Sequence, residues 1–260
     1  MTIVNWPRSL LTMGLLLSLV REAPGQNKKP EKQEGPKVVM VLPLGVVPGA
    51  KTRITIRGLK LDAATQVRFP NASVAVKVLG KGKAPAAAKE KAAQVGDTQV
   101  EAEVTVPAGT SADTLPFVVV TPAGETPAHL LLVESRVPVV PEKEPNNSFP
   151  QAQAIQVPQV IEGVIQQPQD VDVFRLEGQA GQRLILEVLA ARYGSALDSL
   201  LTLYDAHGHE LAESDDSGTS TDSRLEFTLP SSGTYYLSVM DASDQGGPTH
   251  PYWLKVLPGK

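Results

Sequence analysis

The chain has 260 residues, no cysteine, 42% hydrophobic residues and a formal net charge of −4, which excludes whole-chain disorder, a disulfide scaffold, a thiolate metal site and a cysteine nucleophile. At roughly 150 residues per domain the length suggests two domains. The charge agrees: residues 139–260 hold 17 Asp and Glu against 7 Lys and Arg, net −10, leaving 11 against 17, net +6, for residues 1–138.

From the N-terminus, Arg8 precedes an apolar run from Leu10 to Val20, which ends at Arg21-Glu22. The run is too short for a bilayer core, which needs ~20 residues, and suits the apolar region of a secretory signal peptide. Ala23-Pro24-Gly25 supplies small residues for cleavage before Gln26. Residues 1–25 are therefore expected to be a signal peptide and the polar, charged residues 26–37 a flexible linker. The protein is expected to be secreted or periplasmic, with no stable membrane span after cleavage.

From Val38 the pattern becomes that of strands. Val38 to Leu42 is a continuous apolar run, and Arg53-Ile54-Thr55-Ile56-Arg57-Gly58 alternates polar with apolar, as a half-buried strand does. Further short strands are expected at Gln66 to Phe69, Val74 to Val78, Val100 to Val106, Leu115 to Val120 and His129 to Val133. Seven strands with no helix between them describe an immunoglobulin-like sandwich over residues 38–135. The Lys- and Ala-rich stretch between Gly80 and Gln94 is expected to be a solvated, poorly ordered insertion. The run from Pro43-Leu44-Gly45 through Thr52-Arg53-Ile54-Thr55-Ile56-Arg57-Gly58 to Thr65-Gln66-Val67-Arg68-Phe69 resembles the opening of an IPT/TIG domain, with Ala50-Lys51 a small departure. That resemblance implies the same immunoglobulin-like sandwich.

Residues 136–141, extended and proline-rich, are expected to be a second linker. Glu142-Lys143-Glu144-Pro145-Asn146-Asn147-Ser148-Phe149 then opens a second β region. Alternating runs follow at Asp172 to Leu176, Arg183 to Leu189, Leu200 to Tyr204, Arg224 to Leu229, Thr234 to Met240 and Tyr252 to Val256, separated by glycine turns. They predict an antiparallel jelly-roll sandwich over residues 142–258. The fold class is thus all-β, two sandwiches in series. Glu142 to Ile155, Gly163-Val164-Ile165, Asp170-Val171-Asp172-Val173-Phe174, Ala180-Gly181-Gln182-Arg183-Leu184 and the terminal Tyr252-Trp253-Leu254-Lys255-Val256 follow one another in the order of the bacterial pre-peptidase C-terminal domain, which this region resembles. That domain also occurs in secreted clostridial collagenases. The two-domain arrangement resembles exported proteins of planctomycete-type bacteria.

The acidic residues carry the most chemistry. Glu142, Glu144 and Asn146 precede the first strand of this region, and Asp170 and Asp172 flank the next turn. Calcium takes six to eight hard oxygen ligands, and a clamp of this kind would supply them. On residue type alone, a solvated linker followed by a simple turn explains the same residues. The resemblance to the collagenase relatives implies a calcium (Ca2+) site at Glu142, Glu144, Asn146, Asp170 and Asp172. Glu213, Asp215, Asp216 and Asp222 form a second acidic group without the order of an EF-hand loop, and read equally as a polar hairpin. Asp216-Ser217-Gly218 spells the triplet of aspartic peptidases, but its polar surroundings are unlike their buried carboxylate pair. His207-Gly208-His209 beside Asp205 has transition-metal donors, while a glycine inside a turn favours a plain β-turn.

No nucleophile elbow, zinc-peptidase helix or phosphate loop appears in the sequence. The chain is expected to be non-catalytic, a binding or scaffolding protein for an extracellular or periplasmic protein or polysaccharide, not for nucleic acid. The alternative is an accessory part of a secreted peptidase system. In Tyr235-Tyr236 and Tyr252-Trp253 neighbours must face opposite sides of a sheet. One of each pair is expected in the core and the other on an exposed face.

Overall fold

A computed structural model describes residues 35–71, 73–85 and 95–260. The expected signal peptide, most of the first linker and residues 86–94 of the Lys- and Ala-rich stretch lie outside the described residues. The described part is built of strands and two short 310 turns. Residues 35–260 form one compact unit.

The first sandwich consists of β1 (Lys37–Leu42), β2 (Gly45–Val46), β3 (Lys51–Leu59), β4 (Gln66–Arg68), β5 (Ala75–Lys83), β6 (Thr98–Thr105), β7 (Thr114–Thr121), β8 (Gly124–Glu125) and β9 (His129–Val133). One sheet has the order β1-β3-β6-β5 and the other β2-β9-β7-β4, with β8 on β7. This is the strand order of an immunoglobulin sandwich. β6 shows why the sequence folds so: Val100, Ala102 and Val104 are fully buried, and Gln99, Glu101 and Glu103 face outward. Gly80 to Lys83, expected as part of an insertion, instead continue β5 along β6.

The second sandwich consists of β10 (Val139–Pro141), β11 (Gln153–Ala154), β12 (Gln159–Val164), β13 (Val171–Gly178), β14 (Arg183–Leu189), β15 (Ser199–Tyr204), β16 (Glu210–Ser214), β17 (Arg224–Thr228), β18 (Gly233–Asp241) and β19 (Pro251–Pro258). Its sheets run β10-β12-β19-β14-β17 and β11-β13-β18-β15-β16. The proline-rich stretch expected as a linker ends in a strand: Val139 to Pro141 pair parallel with Val160 to Glu162. A proline is accepted there because β10 is an edge strand. Phe174, Leu176, Leu186, Leu203, Leu237, Tyr252 and Leu254 fill the core between the sheets.

A third apolar cluster of Leu44, Leu132, Val160, Leu189 and Trp253 joins the two sandwiches. Gly45 has no side chain because Trp253 occupies the space: a Cβ would lie 2.3 Å from the indole ring. Beside it, Lys255 Nζ donates to Glu134 Oε2 at 3.1 Å, and Glu134 is 2% exposed. Burial disfavours the Glu134 carboxylate, but the Arg136 backbone N–H and the Lys255 ammonium outweigh it and hold its pKa below the usual range.

Candidate metal centre

The chain crosses from the edge of one sheet to the edge of the other between β10 and β11, and this crossing carries Glu142, Glu144 and Asn146. Glu142 N–H donates to Glu162 C=O at 2.9 Å, which pins the start of the crossing to β12. Val173 N–H donates to Asn146 C=O at 2.9 Å, which pins its middle to β13. Asp170 enters from the turn before β13. Asp172 lies on the same inward face as Phe174 and Leu176, at the end of the core.

The structure thus brings the five expected residues to one end of the second sandwich. Oxygens of Glu144, Asp170 and Asp172 lie within 4.8 Å of one another. Asp170 is 3% exposed, and Asp172 and Asn146 are fully buried. Glu142 joins one step behind, sharing the Tyr252 hydroxyl with Asp172: Tyr252 Oη is 2.6 Å from Asp172 Oδ2 and 3.1 Å from Glu142 Oε2. The other Glu142 oxygen accepts Val164 N–H at 3.1 Å. Asp170 is oriented by Asn147 Nδ2 at 2.6 Å and Gln166 N–H at 2.7 Å.

No positive charge answers these carboxylates among the described residues: none of the ion pairs involves them. Burial first, and then the negative charges of Glu142 and Asp170, push the Asp172 pKa up to about 9. Burial also raises Glu142. A phenol has one proton to give, so the second of its two contacts needs a proton on a carboxyl, and Asp172 is the group that retains one. The Asn146 side-chain amide lies against the same carboxylates: with its NH2 turned toward them it donates to Asp172 Oδ1 at 3.2 Å and to Glu144 Oε2 at 2.7 Å.

Two residues of this centre escape sequence reasoning. Tyr252 is singled out only as an aromatic, and Gly163 only as part of a motif. Gly163 pairs with Tyr252 across β12 and β19, and a Cβ there would lie 2.3 Å from Glu142 Oε2 and 2.3 Å from Tyr252 Cζ. A glycine inside a strand beside acidic residues is the signal that such close approach leaves.

The second acidic group divides. Asp222 is fully buried and caps the 310 turn Ala191–Tyr193, accepting from Ala190, Ala191 and Arg192 N–H and from Arg192 Nε at 2.6 Å. Asp215 and Asp216 are exposed and meet Asp198, while Glu213 accepts the Thr202 hydroxyl at 3.3 Å. The aromatic pairs behave differently from one another. Tyr235 is core and Tyr236 half-buried on the outer face, as expected. Tyr252 and Trp253 are both buried, because the outer face of β19 is covered by the first sandwich. Tyr236 stacks on Phe149 at 4.5 Å and Phe149 meets Tyr204 edge-on at 5.3 Å.

Residues 170–240 match the bacterial pre-peptidase C-terminal domain. Over 118 residues the chain is 37% identical to a probable subtilase-type serine protease of Deinococcus radiodurans, a match covering 44% of this chain and 16% of that relative. Among solved structures, the pre-peptidase C-terminal domain of a Bacillus anthracis collagenase aligns with 20% identity and a TM-score of 0.33, covering 40% of this chain and 93% of that one. A periplasmic inhibitor of g-type lysozyme from Aeromonas hydrophila aligns with 19% identity and a TM-score of 0.32, over 48% of this chain and 98% of that one.

Proposed function

We propose that this chain is a non-catalytic binding or scaffolding module of an exported protein, and that a calcium ion closes its pre-peptidase C-terminal domain. Glu144, Asp170, Asp172 and the Asn146 amide oxygen are the side-chain ligands, and Glu142 positions Asp172 through Tyr252. The convergence of the buried Asp170 and Asp172 with the exposed Glu144, without a compensating positive side chain among the described residues, carries this reading. The donors are all oxygen, which suits calcium and not a metal that prefers nitrogen or sulfur. An ion there would tie the crossing to both sheets, displacing the proton that Asp172 otherwise keeps. The first sandwich, read as an IPT/TIG-type domain, then serves as a second β module fixed against it. The half-buried Phe149, Tyr204 and Tyr236 offer a surface suited to a protein or polysaccharide partner outside the cytoplasm.

Thermal melts of the chain in millimolar calcium and in excess chelator test the centre. An ion bound only by the folded form at 100 times its Kd adds about 2.7 kcal/mol, which is expected as a rise of several degrees that Asp172→Ala abolishes. Equal melting temperatures with and without calcium would remove the ion from this reading.

The match to a probable serine protease favours a second reading, an accessory part of a secreted peptidase system. The two readings share a non-catalytic chain, and turnover of casein by the purified chain would overturn both.

A further inference from the structure

At the far end of the β15–β16 hairpin lies a group that neither the calcium centre nor the aromatic surface uses. The loop Asp205-Ala206-His207-Gly208-His209 is closed by Gly208 N–H to Asp205 C=O at 3.1 Å and Asp205 N–H to His209 C=O at 2.9 Å. Asp205 Oδ1 accepts His207 N–H at 2.8 Å and His209 N–H at 2.9 Å, so this carboxylate organises the loop around itself. Its other oxygen, Oδ2, faces both imidazoles, 3.0 Å from His209 Nδ1 and 3.7 Å from His207 Nδ1. The rings lie 5.8 Å apart and within 29° of parallel. Two ring nitrogens and one carboxylate oxygen thus share one side of a turn, all within 4.8 Å of one another.

We propose that Asp205, His207 and His209 form a binding site for a first-row divalent transition metal of the zinc, copper or nickel class. The donor set is two nitrogens and one oxygen, which these ions favour and calcium does not. The spacing suits them too: ligands at 2.0–2.1 Å around a tetrahedral ion stand about 3.3 Å apart, between the two separations seen here. The three donors leave further coordination positions to water or to a partner's side chain, since both histidines point into solvent.

The site is also held in place before any ion arrives. Gly208 has φ +81°, a left-handed turn position, and its backbone rests on Phe149: a Cβ would lie 2.9 Å from the ring. Phe149 is in turn fixed by Tyr204 and Tyr236. A plain β-turn needs the Asp205 Oδ1 contacts and the glycine, but not two imidazoles on the remaining oxygen.

Isothermal titration of the calcium-loaded chain with zinc chloride tests this, and the outcome is independent of the calcium centre. One equivalent of zinc is expected to bind. His207→Ala and His209→Ala are each expected to weaken it by about tenfold or more, with the melting temperature in chelator unchanged because both side chains are exposed. Asp205→Asn keeps the turn and is expected to weaken zinc as well. Absence of zinc binding, or affinity undiminished in the His207→Ala/His209→Ala double variant, overturns the proposal.

Discussion

Tyr252 holds one hydroxyl against two buried carboxylates, and the pH behaviour of the centre follows from that placement. Asp172 titrates at about 9 in the folded chain and at ~3.9 when unfolded, so between these values the folded state holds a proton that the unfolded state has lost. The contribution of Asp172 to stability without calcium is therefore fully present below pH ~4 and declines as pH rises toward 9. In chelator, the melting temperature is expected to fall steadily from pH 5 to pH 9, and Asp172→Asn is expected to remove most of that slope. Calcium takes the place of the proton, so the calcium-induced rise should grow with pH over the same range. A melting temperature in chelator that climbed with pH would show that Asp172 is ionised without the metal.

The crossing from β10 to β11 is the element on which the centre depends. Its flanking strands are the ones that the sequence pattern does not reveal. β10 and β11 have three and two residues, too short for an alternating pattern, and both pair parallel with a strand that follows them. β12 was visible only as a Gly-Val-Ile motif. Long strands such as β13 and β18 are legible because their core-facing residues alternate with a second face that is mostly half-buried or exposed. Glu142, Glu144, Asn146, Asp170 and Asp172 are legible as a group only through a family resemblance, since residue type alone fits a solvated linker and turn. Tyr252 and Gly163 were not legible, because their contact depends on the register of β12 against β19. Gly163→Ala should therefore behave as a centre mutation, although alanine carries no charge. Its methyl has no room beside Glu142 and Tyr252, and a cost of about 1–3 kcal/mol with loss of the calcium response is expected. Gly82→Ala in β5, where a Cβ meets nothing within 4 Å, serves as the control and should leave both unchanged.

For residues 35–260 as a whole, the all-β pattern expected from the sequence is found, in four main sheets packed into one compact unit. The sequence of residues 136–141 suggests only an extended, proline-rich linker, because proline and valine in a row carry no partner of their own. Their partner is β12, and the outer face of β19 supplies the apolar surface that covers them. The Trp253 contact makes the junction tight enough to be sensitive to one carbon. Gly45→Val is expected to cost about 1–3 kcal/mol by overpacking and to separate calorimetric unfolding of the two sandwiches into distinct transitions. A single unshifted transition would show that the junction adjusts freely.

The same contact makes the molecule its own optical probe. The sequence has two tryptophans, Trp6 and Trp253, and Trp6 falls within the segment expected to be removed on export. A chain beginning at Gln26 then carries a single indole, buried in the seam between the sandwiches. Its emission reports on that seam without a label: blue-shifted while the two halves are closed together, and moving to longer wavelength when water reaches the ring, whether or not either sandwich has unfolded.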